Sequence, residues 1–381
     1  MNTESGKIST RIDALDALRG FDMFWIVGGS AFVITLANFT DIAWLKGLSM
    51  QLRHVPWEGF HFIDLVFPLF MFISGAVIPF SIVSKLERGE PKNKILIKAA
   101  KRMLLLVILG IVYNGALQNG FTDARYASVL GQIGLAFFFS VLIIIYTKSL
   151  KTRLFWLIGI LSGITLLQLF VPVPGIGAGI LTPEGCINGY LDRLILPGRI
   201  PYGKDGWMST GQGLFEPEGI LSIVSSTGIT LMGTFAGFIL KTRRYRELKK
   251  VIILLITGAG LTLLAIALHP VYPIIKNCWT TTFSLITGGI SFLLLGIFYL
   301  VIDVWGWKKW SFYFRIIGMN PLFIYLFYKM VKIRDTSVFL FGWLTGDYEN
   351  KSSHPVVTFG AILLVWGLLY FLYKRKIFIR I

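Results

Sequence analysis

Long apolar runs recur along the whole chain, separated by short polar segments. A helix needs about 20 mostly apolar residues to cross the hydrocarbon core of a bilayer. Windows of that kind lie at about 16–38, 62–84, 95–114, 128–147, 153–171, 219–240, 250–269, 280–303, 311–330 and 356–373. Lipid offers the backbone no hydrogen-bonding partner, so each window is predicted to be helical. The pattern predicts an all-α, polytopic integral membrane protein of about ten transmembrane helices, folded as a single domain over 1–381.

The polar segments set the orientation. With the N-terminus in the cytoplasm, the inner segments carry Lys85, Arg88, Lys92 and Lys94, then Lys148, Lys151 and Arg153, then the run from Lys241 to Lys250, then Lys308, Lys309 and Arg315, and finally Lys374 to Arg380. This alternation matches the enrichment of Lys and Arg in cytoplasmic loops, so both termini are predicted to be cytoplasmic. Three longer loops then face outward, at about 39–61, 172–218 and 331–355. The 172–218 loop is rich in Gly and Pro with scattered aromatics, and loops of that length are often functional. Cys186 and Cys278 both fall in outer segments. They either pair in an oxidising compartment or are two unrelated small residues, the simpler reading.

Composition agrees. Hydrophobic residues make up 55% of the 381, charged residues only 15%, and mean hydropathy is +0.70. A soluble domain carries about 25% charged residues. The net charge of +17 would suggest nucleic acid on a soluble protein; here the basic residues sit in short loops between spans, which excludes that reading. The first apolar run contains Asp22 and has no small-residue cleavage site after it, so it reads as a retained helix rather than a signal peptide.

Polar groups within spans are costly and usually face a cavity or one another. Asp22, Asp64, Asn114, Gln132 and Asn320 are of this kind, either as glue between helices or as site residues. All four histidines, His54, His61, His269 and His354, lie in or beside outer segments. His54 and His61 bracket the string RHVPWEGFHFIDLVFP, which also holds Trp57, Glu58 and Asp64. Imidazole is a good general base near neutral pH, and a nearby carboxylate can fix its tautomer; a lone histidine is more often structural. Lys98, Lys101 and Arg102 share a helix face at i, i+3 and i+4, as a polyphosphate clamp or as topology anchors. There is no Walker loop, no zinc-binding spacing and no nucleophile elbow, so neither nucleotide hydrolysis nor a metal is expected.

Several strings resemble one family. RIDALDALRGFDMFWIVGG (11–29), HVPWEGFHFIDLVFPLFMFISG (54–75), GYLDRLILPGR (189–199), PEGILS (217–222) and GMNPLFIY (318–325) occur in order over most of the chain. Together they are similar to the bacterial relatives of heparan-α-glucosaminide N-acetyltransferase, a transmembrane acetyltransferase. The resemblance implies a bacterial inner-membrane enzyme that takes acetyl from cytosolic acetyl-CoA and delivers it to an amino sugar or glycan on the other side. The family's functional histidine maps to His54, with Asp64 or Glu58 to orient it. Lys98, Lys101, Arg102, Gln132 and Asn320 become the expected acetyl-CoA-binding residues. Trp57, His61, Tyr190, Asp192, Arg193 and Trp207 become the expected contacts of the acceptor. Two positions depart from the family pattern: Ser30 stands where relatives tend to have Asn, and Gln132 where they often have Arg. A transporter of amino sugars or their oligomers is the alternative. The lipid bilayer is the expected partner, and a homodimer is compatible with the sequence.

Overall fold

The computed structural model describes residues 12–204, 208–209 and 213–379. Its helices are α1 (Asp13–Thr40), α2 (Ala43–Gln51), α3 (Phe62–Glu87), α4 (Lys92–Tyr113), α5 (Val129–Tyr146), α6 (Leu150–Phe170) and α7 (Ile187–Ile195). They continue with α8 (Ile220–Lys241), α9 (Glu247–Leu268), α10 (Thr281–Val304), α11 (Phe312–Met319), α12 (Pro321–Met330), α13 (Ile333–Phe341) and α14 (Pro355–Lys374). Among the described residues no strand forms, only isolated bridges between loops.

Eight of these helices, α1, α3, α5, α6, α8, α9, α10 and α14, are long and apolar enough to cross a membrane. The other two expected spans differ in an instructive way. Helix α4 has the length, 22 residues, but its first half carries Lys94, Lys98, Lys101 and Arg102. The window at 311–330 is not one helix. Asn320 leaves helical geometry at φ −129° and ψ 50°, and the chain restarts at Pro321 as α12. Proline has no N–H to donate and clashes with the preceding turn, so a helix breaks there unless its first turn begins at the ring.

The centre of the bundle is built on close backbone approach. Lipid tails are as apolar as leucine, so helices in a membrane associate through tight packing of small residues. On α8, Gly233 and Gly237 stand four apart against α3; a Cβ on Gly233 would lie 2.0 Å from the carbonyl oxygen of Phe72, and one on Gly237 would lie 2.2 Å from that of Ala76. The same seam holds Gly75 against Thr230. Around it pack the buried side chains of Phe72, Met232, Phe283, Phe292 and Trp279.

Helix α1 begins without a capping side chain of its own. The carboxylate of Asp303, 289 residues away, accepts from the N–H of Ala14 at 2.9 Å and of Asp13 at 3.3 Å, satisfying orphan donors at that terminus. Halfway along, α1 loosens into a π turn over Trp25–Gly29, with Gly28 at φ 138°. Only glycine adopts that conformation without strain. Ser30 donates its hydroxyl to the carbonyl of Trp25 at 2.9 Å and ties off the turn. Bulges of this type occur frequently at functional sites, and both Trp25 and Ser30 face the cavity described below.

Candidate functional site

The segment between α2 and α3 carries His54. Its position is fixed by the first turn of α3. Asp64, the third residue of that helix, accepts from the backbone N–H of His61 through Oδ2 at 3.1 Å. Its other oxygen, Oδ1, lies 2.7 Å from Nδ1 of His54. A carboxylate in the first turn is favoured by the partial positive charge of a helix N-terminus, so Asp64 is held while it holds the imidazole. Asp64 is 1% exposed and the His54 ring 54% exposed: the carboxylate is buried beneath a ring that remains accessible.

A third group arrives from the far side of the sequence. The turn between α9 and α10 presents Lys276, whose ammonium donates to Asp64 Oδ1 at 3.1 Å and lies 2.9 Å from Nδ1 of His54. This turn is docked on the histidine loop. Gly59 donates its N–H to the carbonyl of Ile274 at 2.9 Å, and Asn277 donates to that of Pro56 at 3.3 Å. Trp279 anchors its end, 1% exposed, with φ at 47° in a region that a bulky side chain rarely occupies. Such backbone persists only where packing over-determines it; here Trp279 packs edge-on against Phe67 and Phe283.

These contacts select a tautomer. An ammonium is only a donor and a carboxylate only an acceptor. Nδ1 of His54 therefore carries a proton toward Asp64, and the approach of Lys276 to that nitrogen is a contact between two donors converging on one oxygen. The neutral ring then keeps its lone pair on Nε2, on the side away from Asp64. The arrangement can accept a proton at Nε2 while the buried carboxylate stabilises the imidazolium.

His54 opens onto a cavity of about 1070 Å³. Along α3 its wall is formed by Ile63, Val66, Phe70, Ser74, Val77 and Ser81. Eighteen residues at 1.5 Å each make this stripe about 27 Å long, close to the ~30 Å thickness of a bilayer's hydrocarbon core. The broken pair α11 and α12 contributes Gly318, Met319 and Pro321 to the opposite wall, so irregular backbone faces a cavity rather than lipid. At the end away from His54 the lining includes Asp16, Arg19, Arg102, Phe378 and Ile379. Arg102 stacks its guanidinium 4.3 Å over the ring of Phe137, and its buried Nε has no hydrogen-bond partner among the described residues. Arg19 is close enough to repel it, and itself lies 3.5 Å from Asp16. Two guanidiniums facing one cavity make a site for an anion.

Several expected site residues lie elsewhere. Glu58 faces His269 at 3.8 Å rather than His54. His61 lies 2.7 Å from the carbonyl of Arg53 through Nδ1, and Trp57 donates to that of Leu181 at 2.7 Å; both brace loops. Lys98 is 3.9 Å from Glu90 and Lys101 is exposed, and neither lines the cavity, so of the three basic residues on that face only Arg102 does. Gln132 is buried and donates to the carbonyl of Ser222 at 3.1 Å, joining α5 to α8. Asn320 uses its amide on the C-terminal segment, donating to Ile377 at 3.1 Å and accepting from Ile379 at 2.8 Å. Tyr190 packs beside Ile164, Val173 and Leu221. Arg193 donates to the carbonyl of Leu214. Asp192 is buried and accepts from the N–H of Ile220 at 2.9 Å, capping α8; burial pushes its carboxyl up to about 7. Trp207 lies outside the described residues. Cys186 and Cys278 are free thiols buried in one cluster with Phe215 and Ile275.

The cavity also brings in residues that pattern reasoning did not single out. Arg125, in the connection between α4 and α5, donates from Nε to Glu216 at 2.8 Å and reaches both Glu216 and Glu218 through Nη2. Glu216 is 1% exposed, while Glu218 lines the cavity together with Tyr202 and Lys276. Burial pushes Glu216 upward, whereas Arg125, and more distantly Lys276, hold Glu218 below its usual range.

Comparison with known proteins places this geometry in context. The family described as "Domain of unknown function (DUF5009)" matches residues 11–176. Heparan-alpha-glucosaminide N-acetyltransferase of Homo sapiens is 29% identical over 376 residues, covering 86% of this chain and 56% of the human protein. The Mus musculus protein of the same name is 29% identical over 419 residues, covering 98% of this chain and 62% of its own. The chain thus spans about three-fifths of the length of the curated relatives it matches.

Proposed function

We propose that this relative of the heparan-α-glucosaminide N-acetyltransferases is a transmembrane acetyltransferase. In this reading it moves acetyl from cytosolic acetyl-CoA to the amine of a glucosamine-type sugar outside a bacterial inner membrane. The observation that carries the reading is a single cavity with an oriented imidazole at one end and a pair of guanidiniums at the other.

The donor is a substrate with a phosphate-rich head and a slender arm. The head fits the end where Arg102 has an unpartnered Nε beside Arg19, because guanidinium is the side chain best matched to phosphate. The arm fits the apolar stripe of Val66, Phe70 and Val77. The acetyl thioester is then presented to His54.

The chemistry follows from the tautomer. An acceptor amine, having lost one proton to water, attacks the thioester carbonyl. It passes a second proton to Nε2 of His54, the imidazolium being stabilised by Asp64 at Nδ1. The C–N bond forms, the C–S bond breaks, and the proton on Nε2 goes to the departing thiolate. The thioester supplies the driving force, so no nucleotide hydrolysis is required. Lys276 holds Asp64 and lies at the reacting end, where a cation favours the developing oxyanion.

Sealed proteoliposomes test this. Acetyl-CoA on one side and glucosamine on the other should yield N-acetylglucosamine, and H54A should abolish it while keeping the melting temperature of the parent protein. Unchanged turnover in H54A refutes the assignment of His54. Movement of N-acetylglucosamine across the membrane without acetyl-CoA favours a carrier instead.

A further inference from the structure

The geometry points to Glu218, held by Arg125 on its Glu216 side and open to the cavity on the other, as the residue that binds the ammonium of the acceptor and selects an amine-bearing substrate. This rests on the acetyltransferase reading and deepens it by naming what recognises the acceptor.

Within ion-pair contact at this end of the cavity, three carboxylates share two cations. Asp64 is engaged by Lys276, and Arg125 bridges Glu216 and Glu218. Lys329 lies 4.1 Å over the ring of Tyr113 and, among the described residues, makes no ion pair with either glutamate. Buried carboxylates are stable only when paired or protonated, and among the described residues Arg125 alone is in ion-pair contact with both glutamates. Burial, with Glu218 beside it, pushes Glu216 upward. A cation entering the cavity meets Glu218, the glutamate of the pair that lines it.

The location is also right for the chemistry. Glu218 lines the same cavity as Lys276 and feels its charge, and Lys276 touches the histidine. An ammonium held by Glu218 is therefore brought to the end where a proton acceptor waits. Tyr202, stacked on Phe215 with the Arg125 guanidinium 5.3 Å from its ring centre, lines the cavity beside Glu218. A neutral hydroxyl in place of the amine forgoes the charge–charge attraction to Glu218, which disfavours glucose against glucosamine.

The test separates binding from turnover. In E218Q the amide oxygen can still accept from Arg125, so the fold is preserved; its melting temperature checks this. E218Q should raise the KM for glucosamine at least tenfold and leave the KM for acetyl-CoA within twofold. E218D, which keeps the charge, should restore much of the selectivity. Direct binding, measured without acetyl-CoA on the parent protein and on H54A, should favour glucosamine over glucose, and E218Q should erase that preference. An unchanged glucosamine KM in E218Q, or equal binding of glucose and glucosamine by the parent protein, overturns the assignment. Because H54A is tested by turnover and Glu218 by binding preference, failure of one is distinguishable from failure of the other.

Discussion

Nδ1 of His54 lies 2.7 Å from Oδ1 of Asp64, and the same oxygen receives Lys276 at 3.1 Å. A buried carboxylate thus fixes the proton on one ring nitrogen and leaves the other for chemistry. D64N would turn an acceptor into an amide that can present a donor to Nδ1, favouring the wrong tautomer. Loss of general-base function typically costs about 10²–10⁴ in rate, and D64N should lower kcat by about that factor while acetyl-CoA binding is retained. Steady-state kinetics paired with radiolabelled acetyl-CoA binding decide it; a kcat within threefold of the parent would show that Asp64 is only a helix cap.

Arg102 provides the second prediction. R102A should raise the KM for acetyl-CoA at least tenfold, since this guanidinium, whose Nε has no hydrogen-bond partner among the described residues, is assigned to the nucleotide phosphates. Acetyl-pantetheine, which lacks them, should be used equally well by R102A and the parent. If both donors lose the same factor, Arg102 supports the helix bundle rather than a phosphate.

Ser74 stands near the middle of the cavity stripe on α3, its hydroxyl donating to the carbonyl of Met71 at 2.8 Å. S74W should fill the passage there. Transfer across sealed vesicles should fall by more than tenfold in S74W. Full activity would mean that donor and acceptor meet without using this passage.

The seam between α3 and α8 gives a stability prediction. G233A places a Cβ 2.0 Å from the carbonyl of Phe72, while G163A on α6 meets nothing within 4 Å. Overpacking of this kind costs about 1–3 kcal/mol. The melting temperature in detergent should drop by several degrees in G233A and stay put in G163A. Equal melting of the two variants would mean that the seam relaxes freely.

Asp192 contributes a pH dependence with a definite sign. Burial lifts its carboxyl to about 7, well above the ordinary aspartate range, so the folded chain binds this proton more tightly than the unfolded chain. Its stabilisation is complete below about pH 4 and is lost as pH rises through 7. The parent protein should therefore lose more melting temperature between pH 5 and pH 8 than D192N, in which the amide oxygen still accepts from Ile220. Parallel curves would show that the carboxyl is ionised throughout.

The long spans were legible because lipid enforces them: a segment such as Ile220–Lys241 must be apolar along its whole length. The break at 311–330 was missed, because the hydropathy of the flanking residues masked the signal that Pro321 carries. His54 and Asp64 were readable as neighbours since they sit ten residues apart around one helix start. Lys276 was not, because it reaches His54 across 222 residues of chain, and no local pattern encodes the docking of two loops. Glu218 lay within the string PEGILS, where it reads as a residue at a helix start. Only the arrival of Arg125 from another connection gives it a partner and a face. Asp192 and Arg193 looked like sugar contacts because charged residues in a long outer loop attract that reading, yet they are used to cap α8 and to hold the chain at Leu214.

The grip of Asn320 on Ile377 and Ile379 has a practical corollary. It draws Phe378 and Ile379 into the wall of the cavity that Arg19 and Arg102 also line. A small environment-sensitive dye at position 379 would sit where arrival of acetyl-CoA could be watched directly as a change in fluorescence.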